Sequence, residues 1–438
     1  MLSSADNERM CRVGSGTPMG NAMRRYWLPA LLSSELPEPE GDPRHVQLLG
    51  QDLVAFRDAE GKVGILDELC CHRGASLLLG RVEDRGIRCI YHGWKFAADG
   101  TVLDTPNVSD PRFKERIKAP AYPVQEAGGI IWTYLGPKEK CPPFPQWPFF
   151  GVPQSNRLAA YPVVNSNYVQ VLEGLVDSSH LNLLHTTGMA STGDSSLDFA
   201  AKVSAMQEDA APQIEAEETA FGFHYCALRS GSNGEGVLAR ITAFVAPCFI
   251  FNPNGDLWFA VVPVNDHQTN FIHVWWDKER RFGEEPLYSG QLRFVGLDQE
   301  ALGAYCMNRE TCDSAKRPSK GNRYLQNREA IRMGKSFTGL HSFTQEDAAV
   351  AISAGAIRDR AREKLAPADA AIVRLYHSLL KLTKLQGESA TDLDISSIKG
   401  VVGTIAPGQP WQSLVPDHVV LGRRSTSGLR RAASKSPA

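Results

Sequence analysis

Apolar and polar residues alternate in short runs between Arg25 and Gly136, and turns that contain Gly or Asp separate these runs. Alternation with a period of two is typical of strands that bury one face. The pattern predicts a small antiparallel sandwich or barrel, preceded by a short helical lead-in over residues 1–25. The runs that carry this prediction are HVQLLG, DLVAFRD, KVGILDE and GIIWTYLG.

The second half of the chain contains both helical and strand-like patterns of apolar residues. Residues 160–188 are predicted to contain a helical segment, and strand-like runs follow over residues 200–276. Two helices are predicted within residues 343–385, the first of them over residues 347–365. Their apolar stripes are Val350, Ile352 and Ile357 in the first helix, and Ile372, Leu375, Leu379 and Leu382 in the second.

These patterns predict an α+β fold with two domains. A Pro-rich stretch separates them, because it suits neither a helix nor a central strand. The predicted segments are an all-β domain (26–140), the Pro-rich linker (141–155), a second domain with an antiparallel sheet and covering helices (156–421), and a disordered tail (422–438).

The length, net charge and apolar content of the chain exclude several classes of protein. The 438 residues suggest two domains, and the formal net charge of -2 gives no indication of a nucleic-acid partner. No apolar run approaches the ~18 residues that span a bilayer, and the first residues do not resemble a secretory signal. We therefore expect a cytoplasmic protein that does not enter the membrane and whose nine cysteines are reduced thiols rather than a disulfide framework.

The first candidate metal site has the pattern C-x-H-x16-C-x2-H, formed by Cys70, His72, Cys89 and His92. Two thiolates and two imidazoles are the ligands of a Rieske [2Fe–2S] cluster. The alternative is a zinc site, but in a Cys2His2 zinc finger each half uses one type of ligand, whereas here each half mixes Cys and His. Cys71 has no assigned role and is interpreted as a bystander thiol.

The second candidate site begins on a predicted helix with a dense polar face. A solvated face is the simpler interpretation, yet short polar side chains are unfavourable inside a helix. The residues that share this face through steps of three and four are Asn167, Gln170, Glu173, Asp177 and His180.

His180 and His185 are the candidate metal ligands that follow. They are five residues apart and would diverge by ~140° on a regular helix, so the helix must end or bulge near Leu184 if both bind one metal. Two His and one carboxylate form the facial triad of Fe(II) oxygenases. The pattern alone does not choose the carboxylate among Glu346, Asp347 and Asp359.

Both constellations, in this order, resemble the Rieske non-haem iron ring-hydroxylating oxygenases, and in particular the phthalate-dioxygenase-type branch with α subunits only. The likeness covers residues 1 to about 385. Cys71 is a departure, since the family usually has Pro there. The segments that carry the likeness are GTPMG, RRYWLPALLSSELPEP, CCHRGASLLLGR, CIYHGWKF, NRYLQNREAI and SFTGLHSFTQEDAAVAISAGAIRDRAREKL.

The resemblance implies specific roles. Cys70, His72, Cys89 and His92 would hold the [2Fe–2S] cluster, and His180, His185 and Asp347 would hold a mononuclear Fe(II). Asp177 would link a Rieske His of a neighbouring subunit to an iron ligand, and Asn167 would lie near the open face of the iron. The resemblance also implies a head-to-tail homotrimer, or two trimers stacked as a hexamer.

Electrons must come from elsewhere, because the sequence lacks a nucleotide-binding signature. The resemblance implies a separate NAD(P)H reductase with flavin and [2Fe–2S] groups. The expected function is oxidation of an aromatic substrate with O2, by cis-dihydroxylation or by monooxygenation such as O-demethylation. One alternative is a Rieske electron carrier without oxygenase activity, and another is a colourless zinc-stabilised binding module.

Two arginines are candidate substrate ligands. Arg240 lies in the apolar strand pattern ARITAF, where an unpaired cation is costly, and a substrate carboxylate would pair with it. Arg229 is the second candidate. The alternative for both is an internal ion pair or a side chain that reaches the surface.

Overall fold

The computed structural model describes residues 2–186, 211–230, 236–384 and 395–415. The first half forms three small antiparallel sheets, in the orders β1-β10-β9, β2-β3-β4 and β5-β6-β7-β8. The four predicted strand-like runs overlap β2, β3, β4 and β10. The strands are β1 (Trp27–Leu32), β2 (Arg44–Leu48), β3 (Gln51–Arg57), β4 (Val63–Asp67), β5 (Arg81–Glu83), β6 (Gly86–Arg88), β7 (Lys95–Phe96), β8 (Val102–Asp104), β9 (Val124–Ala127) and β10 (Ile130–Tyr134).

Nine strands of the second half form one antiparallel sheet. Its order is β11-β18-β17-β16-β15-β14-β13, with β12 beside β18 and β19 beside β15. Together with the helices below, it confirms the predicted α+β class. The strands are β11 (Arg157–Ala160), β12 (Val163–Val164), β13 (Gln213–Glu218), β14 (Gly222–Ser230), β15 (Val237–Val245), β16 (Phe249–Asn252), β17 (Leu257–Asn265), β18 (Gln268–Trp276) and β19 (Val401–Ile405).

Helices cover part of this sheet and also form the lead-in. The helical lead-in is fixed to the second half, because the Tyr168 hydroxyl donates to the buried Met10 carbonyl at 2.8 Å. Within the described ranges the α-helices are α1 (Ser4–Cys11), α2 (Pro18–Met23), α3 (Tyr168–Val176), α4 (Leu181–Leu184), α5 (Leu287–Val295), α6 (Gln299–Ala304), α7 (Arg328–Arg332), α8 (Phe343–Ser353) and α9 (Ala370–Leu382).

The predicted helix over residues 347–365 is wrong beyond Ser353, where α8 ends. Gly355 adopts φ +90°, a left-handed conformation that glycine favours and that stops a helix. Val350 of the predicted apolar stripe is 46% exposed, so that stripe is not a core face. By contrast, α9 buries Leu375, Leu379 and Leu382, as its stripe predicts.

The helical segment predicted within residues 160–188 is confirmed, but it is shorter than that range and is interrupted. The chain first adds β12 to the sheet and then forms α3 and α4, with an extended break that starts at Asp177. The shared polar face therefore ends before Asp177. The predicted helix end near Leu184 is confirmed, since α4 stops there.

The Pro-rich linker is neither α-helix nor strand. It contains the 3-10 turns Pro148–Gly151 and Gln154–Asn156. Trp147 and Phe149 are buried and contact Trp258 of the large sheet, with ring centroids 5.1 Å apart in both cases. The linker thus packs against the core. The predicted domain bounds stay predictions, and the tail over 422–438 lies outside the described residues.

The expectation that all cysteines are reduced is wrong for one pair. Cys306 and Cys312 form a disulfide with Cα atoms 4.4 Å apart, and the other seven cysteines are free thiols. Cys306 has φ 58°, and this left-handed turn brings the chain back towards Cys312.

A separate expectation concerned membranes. Within the described ranges, no helix combines the length and apolarity needed to cross one.

A buried ion pair joins α3 to the segment after α8. The Arg360 side chain is fully buried and pairs with Glu173, which also accepts from the Tyr376 hydroxyl at 2.7 Å. Arg360 donates to Asn7 of α1 at 3.0 Å as well. The pair therefore holds three parts of the chain against the helix that leads to Asp177.

We expect Arg360→Met to lower the free energy of unfolding by ~3–5 kcal/mol, because it leaves the Glu173 carboxylate buried beside one fewer cation. Urea denaturation of the holoprotein measures this. The double variant Glu173→Gln/Arg360→Met removes both charges and should recover part of the loss. A single variant as stable as the wild type would contradict the expected cost.

Candidate functional site

Two loops of similar construction carry the first Cys/His constellation. In each loop the cysteine N–H donates to the carbonyl five residues later at 2.8 Å, from Cys70 to Ala75 and from Cys89 to Trp94. In each, a glycine with φ of 72° or 73° donates back to the cysteine carbonyl. A left-handed residue is needed to close such a loop, which explains the glycine in both.

The four side chains come together at the tips of these loops. Cys70 and Cys89 are buried, and the rings of His72 and His92 lie 4.6 Å apart between centroids. Trp94 stacks on His72 at 4.3 Å with an interplanar angle of 3°. Burial and the neighbouring Cys89 raise the pKa of the Cys70 thiol to about 11.

This arrangement fits a two-iron cluster. His92 Nδ1 is buried and has no hydrogen-bond partner among the described residues. Among those residues, two groups of three His, Cys, Asp or Glu side chains bring their ligand atoms within 4.8 Å of one another, and this constellation is in neither. One zinc ion would need such convergence, whereas a [2Fe–2S] cluster has its Cys and His ligands on different irons.

The second constellation forms because the chain breaks on both sides of α4. His180 directly precedes this one-turn helix and His185 directly follows it. Asp347, on α8, lies opposite: its Oδ1 is 3.2 Å from His185 Nε2 and 3.9 Å from His180 Nε2. The three ligand atoms lie within 4.8 Å of one another, a donor set that fits the facial triad of a non-haem iron.

The outer nitrogen of each histidine faces another carboxylate. Asp177 Oδ2 lies 3.4 Å from His180 Nδ1, and Glu346 Oε2 lies 2.7 Å from His185 Nδ1. Such partners fix the tautomer and direct the other nitrogen to the metal. Glu346 is thus a partner of His185 rather than the third ligand. The remaining sequence candidate, Asp359, caps the turn Arg360–Arg362 instead.

These carboxylates make the site strongly negative. Burial alone would lower the pKa of His185, but Asp347 and Glu346 raise it to about 9. Burial would raise the pKa of Asp177, whereas hydrogen bonds with His180 and Ser179 lower it to about 2. The surroundings therefore stabilise positive charge at the point where the three ligand atoms meet.

Asn167 is not brought to this group. It caps the start of α3, accepts from the Val169 N–H, and donates to the carbonyls of Cys11 and Asp266 at 2.9 and 2.8 Å. It lines neither of the two cavities beside the metal ligands. Its amide therefore has a structural task at the other end of α3 from Asp177.

Two cavities meet at the metal ligands, and Asp177, His180 and Asp347 line both of them. One encloses about 320 Å³ and opens between α3 and α8. The other encloses about 90 Å³ and lies against the large sheet. The second cavity, called the sheet cavity below, is lined on its sheet side by Arg240, Asn252, Leu257, Phe259, Phe271, His273 and Trp275.

Arg240 lines the sheet cavity and Arg229 does not. Arg240 is 2% exposed, its guanidinium lies 3.4 Å from Asn252 Oδ1, and its Nε has no hydrogen-bond partner among the described residues. Burial lowers its pKa. Arg229 donates to the Ser178 carbonyl at 2.7 Å, which holds the segment between Asp177 and His180.

Sequence reasoning missed His273, which faces the sheet cavity from β18. It is 5% exposed, and burial lowers its pKa to about 3, so the ring is neutral. The signal was present, because a lone His stands in the apolar strand NFIHVWW.

Comparison with known proteins agrees with this geometry. A model of the Rieske [2Fe-2S] domain matches residues 26–123, and a model described as LigXa C-terminal domain like matches residues 133–416, more than half of the chain. The oxygenase subunit of phthalate 4,5-dioxygenase from Pseudomonas putida is 36% identical, over 89% of this chain and 88% of the relative. The chain belongs to the Rieske oxygenases.

Other relatives of this Rieske oxygenase differ in chemistry. The oxygenase subunit of 3-chlorobenzoate-3,4-dioxygenase from Comamonas testosteroni is 36% identical over 89% of this chain and 91% of the relative. The oxygenase subunit of 5,5'-dehydrodivanillate O-demethylase from a Sphingobium strain is 33% identical over 61% of each chain. Among solved structures, Pseudomonas putida NdmA with caffeine superposes with a TM-score of 0.59 at 17% identity, over 88% of this chain and 98% of that one, which shows the shared fold.

Membership of the Rieske oxygenases defines the general role of the protein. The protein is the terminal oxygenase of a Rieske system, and an electron carrier without oxygenase activity finds no support. It carries a Rieske [2Fe–2S] cluster and a mononuclear iron, and a separate reductase supplies its electrons.

Proposed function

We propose that this Rieske oxygenase oxidises an aromatic carboxylate with O2, and that Arg240 binds the carboxylate. The observation that carries the proposal is a buried guanidinium, without a carboxylate partner among the described residues, in the cavity that reaches His180 and Asp347. A buried cation of this kind favours a planar anion. Phthalate and chlorobenzoate, named for two relatives, are such anions.

The ligand assignments belong to the same proposal. Cys70, His72, Cys89 and His92 hold the cluster within the domain over residues 26–140, and His180, His185 and Asp347 hold the iron within the domain over residues 156–421. When bound, the cluster stores an electron and the iron activates O2. The apolar walls of the sheet cavity would exclude water and hold the ring beside the metal.

We also propose a head-to-tail homotrimer, alone or stacked as a hexamer, in which the Rieske loops of one subunit approach Asp177 of the next. Three large apolar residues flank the cluster ligands, and Leu69, Ile90 and Tyr91 are 57%, 58% and 55% exposed. Such a patch favours a protein contact. Asp177 is partly exposed, as this contact requires. We also propose that the protein is cytoplasmic, because the expected reductase uses NAD(P)H.

The test is product formation from hydroxy-, methoxy- and unsubstituted benzoates under O2. The iron-loaded oxygenase is supplied with a matched reductase and NADH. A cis-diol identifies dihydroxylation, and a phenol with formaldehyde identifies O-demethylation. If the reduced enzyme neither binds nor oxidises any aromatic carboxylate, the proposal is wrong.

Replacing Arg240 with methionine should weaken binding of an aromatic carboxylate by roughly 10- to 100-fold, because a hydrogen-bonded charge pair is lost. Equilibrium dialysis with benzoate measures this, and binding of neutral benzamide is the internal control. Arg240→Lys keeps the charge but loses the planar fork, so it should give an intermediate value. Equal losses for benzoate and benzamide would show that only the shape of the cavity had changed.

A further inference from the structure

We propose that His273 recognises a second, uncharged polar substituent of the substrate, so that the preferred substrate is an aromatic monocarboxylate with a hydroxyl, ether or carbonyl group. This inference rests on the proposed function, since it takes the sheet cavity as the substrate site. It names the substrate class more narrowly than the proposed function does.

His273 is a polar group without a partner inside an aromatic enclosure. Both ring nitrogens are buried and make no hydrogen bond within the described ranges. The ring centroids of Phe271, Phe259 and Trp275 lie 4.1, 4.7 and 5.2 Å from that of His273. An unpaired buried donor carries a free-energy penalty, which a ligand that fills the cavity would remove.

The other unpartnered atoms divide the sheet cavity into two polar ends. Arg240 Nε and Asn254 Oδ1 lack partners at one end, and Trp275 Nε1 lacks one beside His273. β16 and β17 separate the strand of Arg240 from that of His273 in the sheet order. Arg240 and His273 therefore line the sheet cavity from different strands, and a ligand that fills the cavity would present a different part to each of them.

The charged residues that line the sheet cavity determine where each substituent of the ligand binds. Arg240 is the one Arg or Lys among the described residues that line the sheet cavity, so the carboxylate belongs at its end. A second carboxylate beside His273 would have no Arg or Lys of its own among the described lining residues, whereas a neutral oxygen finds an N–H donor on His273 or Trp275.

A buried histidine is often only a core residue, and the chain contains one for comparison. His224 on β14 is 1% exposed, and both of its ring nitrogens also lack partners among the described residues. It lines none of the cavities described above. His224 is thus a matched control, alike in burial but away from the substrate site.

Binding to the reduced, iron-loaded holoenzyme without O2 tests the inference. The probes are benzoate, the three isomers of hydroxybenzoate and methoxybenzoate, and the three benzenedicarboxylates. We expect at least one hydroxy or methoxy isomer to bind roughly 10-fold more tightly than benzoate. We expect that isomer also to bind more tightly than the dicarboxylate with the same substitution pattern.

Variants assign the preference to His273. His273→Phe should abolish the roughly 10-fold preference, and His273→Gln, which keeps a donor and an acceptor, should restore part of it. His224→Phe should keep the wild-type preference. The same ranking is expected in kcat/KM for product formation.

The outcomes separate the two proposals. If no aromatic carboxylate binds the wild type, the proposed function fails. If benzoate binds but no neutral substituent improves binding, or a dicarboxylate binds best, the role of His273 alone is overturned. It is also overturned if His273→Phe retains the preference, or if His224→Phe removes it equally.

Discussion

Asp177→Ala is expected to lower product formation by roughly 100-fold while both iron centres remain bound. The carboxylate lies 3.4 Å from Nδ1 of His180, and in the proposed trimer it would also contact an imidazole of a neighbouring subunit. If it joins the two imidazoles, its removal interrupts the path of the electron without removing any metal ligand. Stopped-flow reoxidation of the reduced cluster, with substrate and O2 present, measures the step directly.

A structural role for Asp177 makes a different prediction. If the residue only orients His180, iron content should fall together with activity, and cluster reoxidation per bound iron should stay normal. Asp177→Asn keeps the shape and one acceptor oxygen, so it should retain more iron than Asp177→Ala but still transfer electrons slowly. Normal reoxidation in both variants would rule out the proposed electron path.

Mixed assemblies test whether the path runs between subunits. By the proposed assignments, Cys89→Ala removes a cluster ligand and Asp347→Ala removes an iron ligand, so each variant alone should be inactive. In a head-to-tail trimer, co-expression places an intact cluster of one chain beside the intact iron of another and restores part of the activity. Mixed assemblies that contain both chains and remain inactive would show that electrons stay within one chain.

The sequence predicted which candidate ligands come together better than the local backbone that positions them. The spacing of Cys and His indicated the candidate metal sites directly, and the alternation of apolar residues identified the sheets. The helix breaks at Asp177 and after Ser353 were missed because they depend on distant partners. The extended backbone at Asp177 follows a helix held by Arg360, and α8 stops where Gly355 lets Arg358 donate its backbone N–H to Gln170.

The residues around the candidate ligands were harder to identify from the sequence than the candidate ligands themselves. Glu346 and Asp347 are adjacent, and the pattern alone did not choose between them as third ligand. Successive residues point ~100° apart on a helix, so one carboxylate reaches the metal and the other reaches His185. His273 had the same signal as Arg240, a lone polar residue in an apolar strand, but histidine is often satisfied within a core.

Glu346→Ala is expected to weaken iron binding by roughly 10- to 100-fold and to leave the Rieske spectrum unchanged. The carboxylate holds Nδ1 of His185 at 2.7 Å and is itself held by the Thr338 hydroxyl at 2.6 Å. Without it, the ring loses its orientation and the buried site loses negative charge. Iron titration of the metal-free oxygenase, followed by dialysis, measures the affinity.

The dependence of this affinity on pH separates orientation from charge. His185 has a pKa of about 9 because Asp347 and Glu346 outweigh its burial, so iron must displace a proton below that pH. Wild-type affinity should therefore rise with pH and level off near pH 9. In Glu346→Ala the histidine pKa falls, and the plateau should begin at lower pH. Thr338→Val keeps the carboxylate and should keep the wild-type profile, whereas an unshifted plateau in Glu346→Ala would limit the role of Glu346 to orienting the ring.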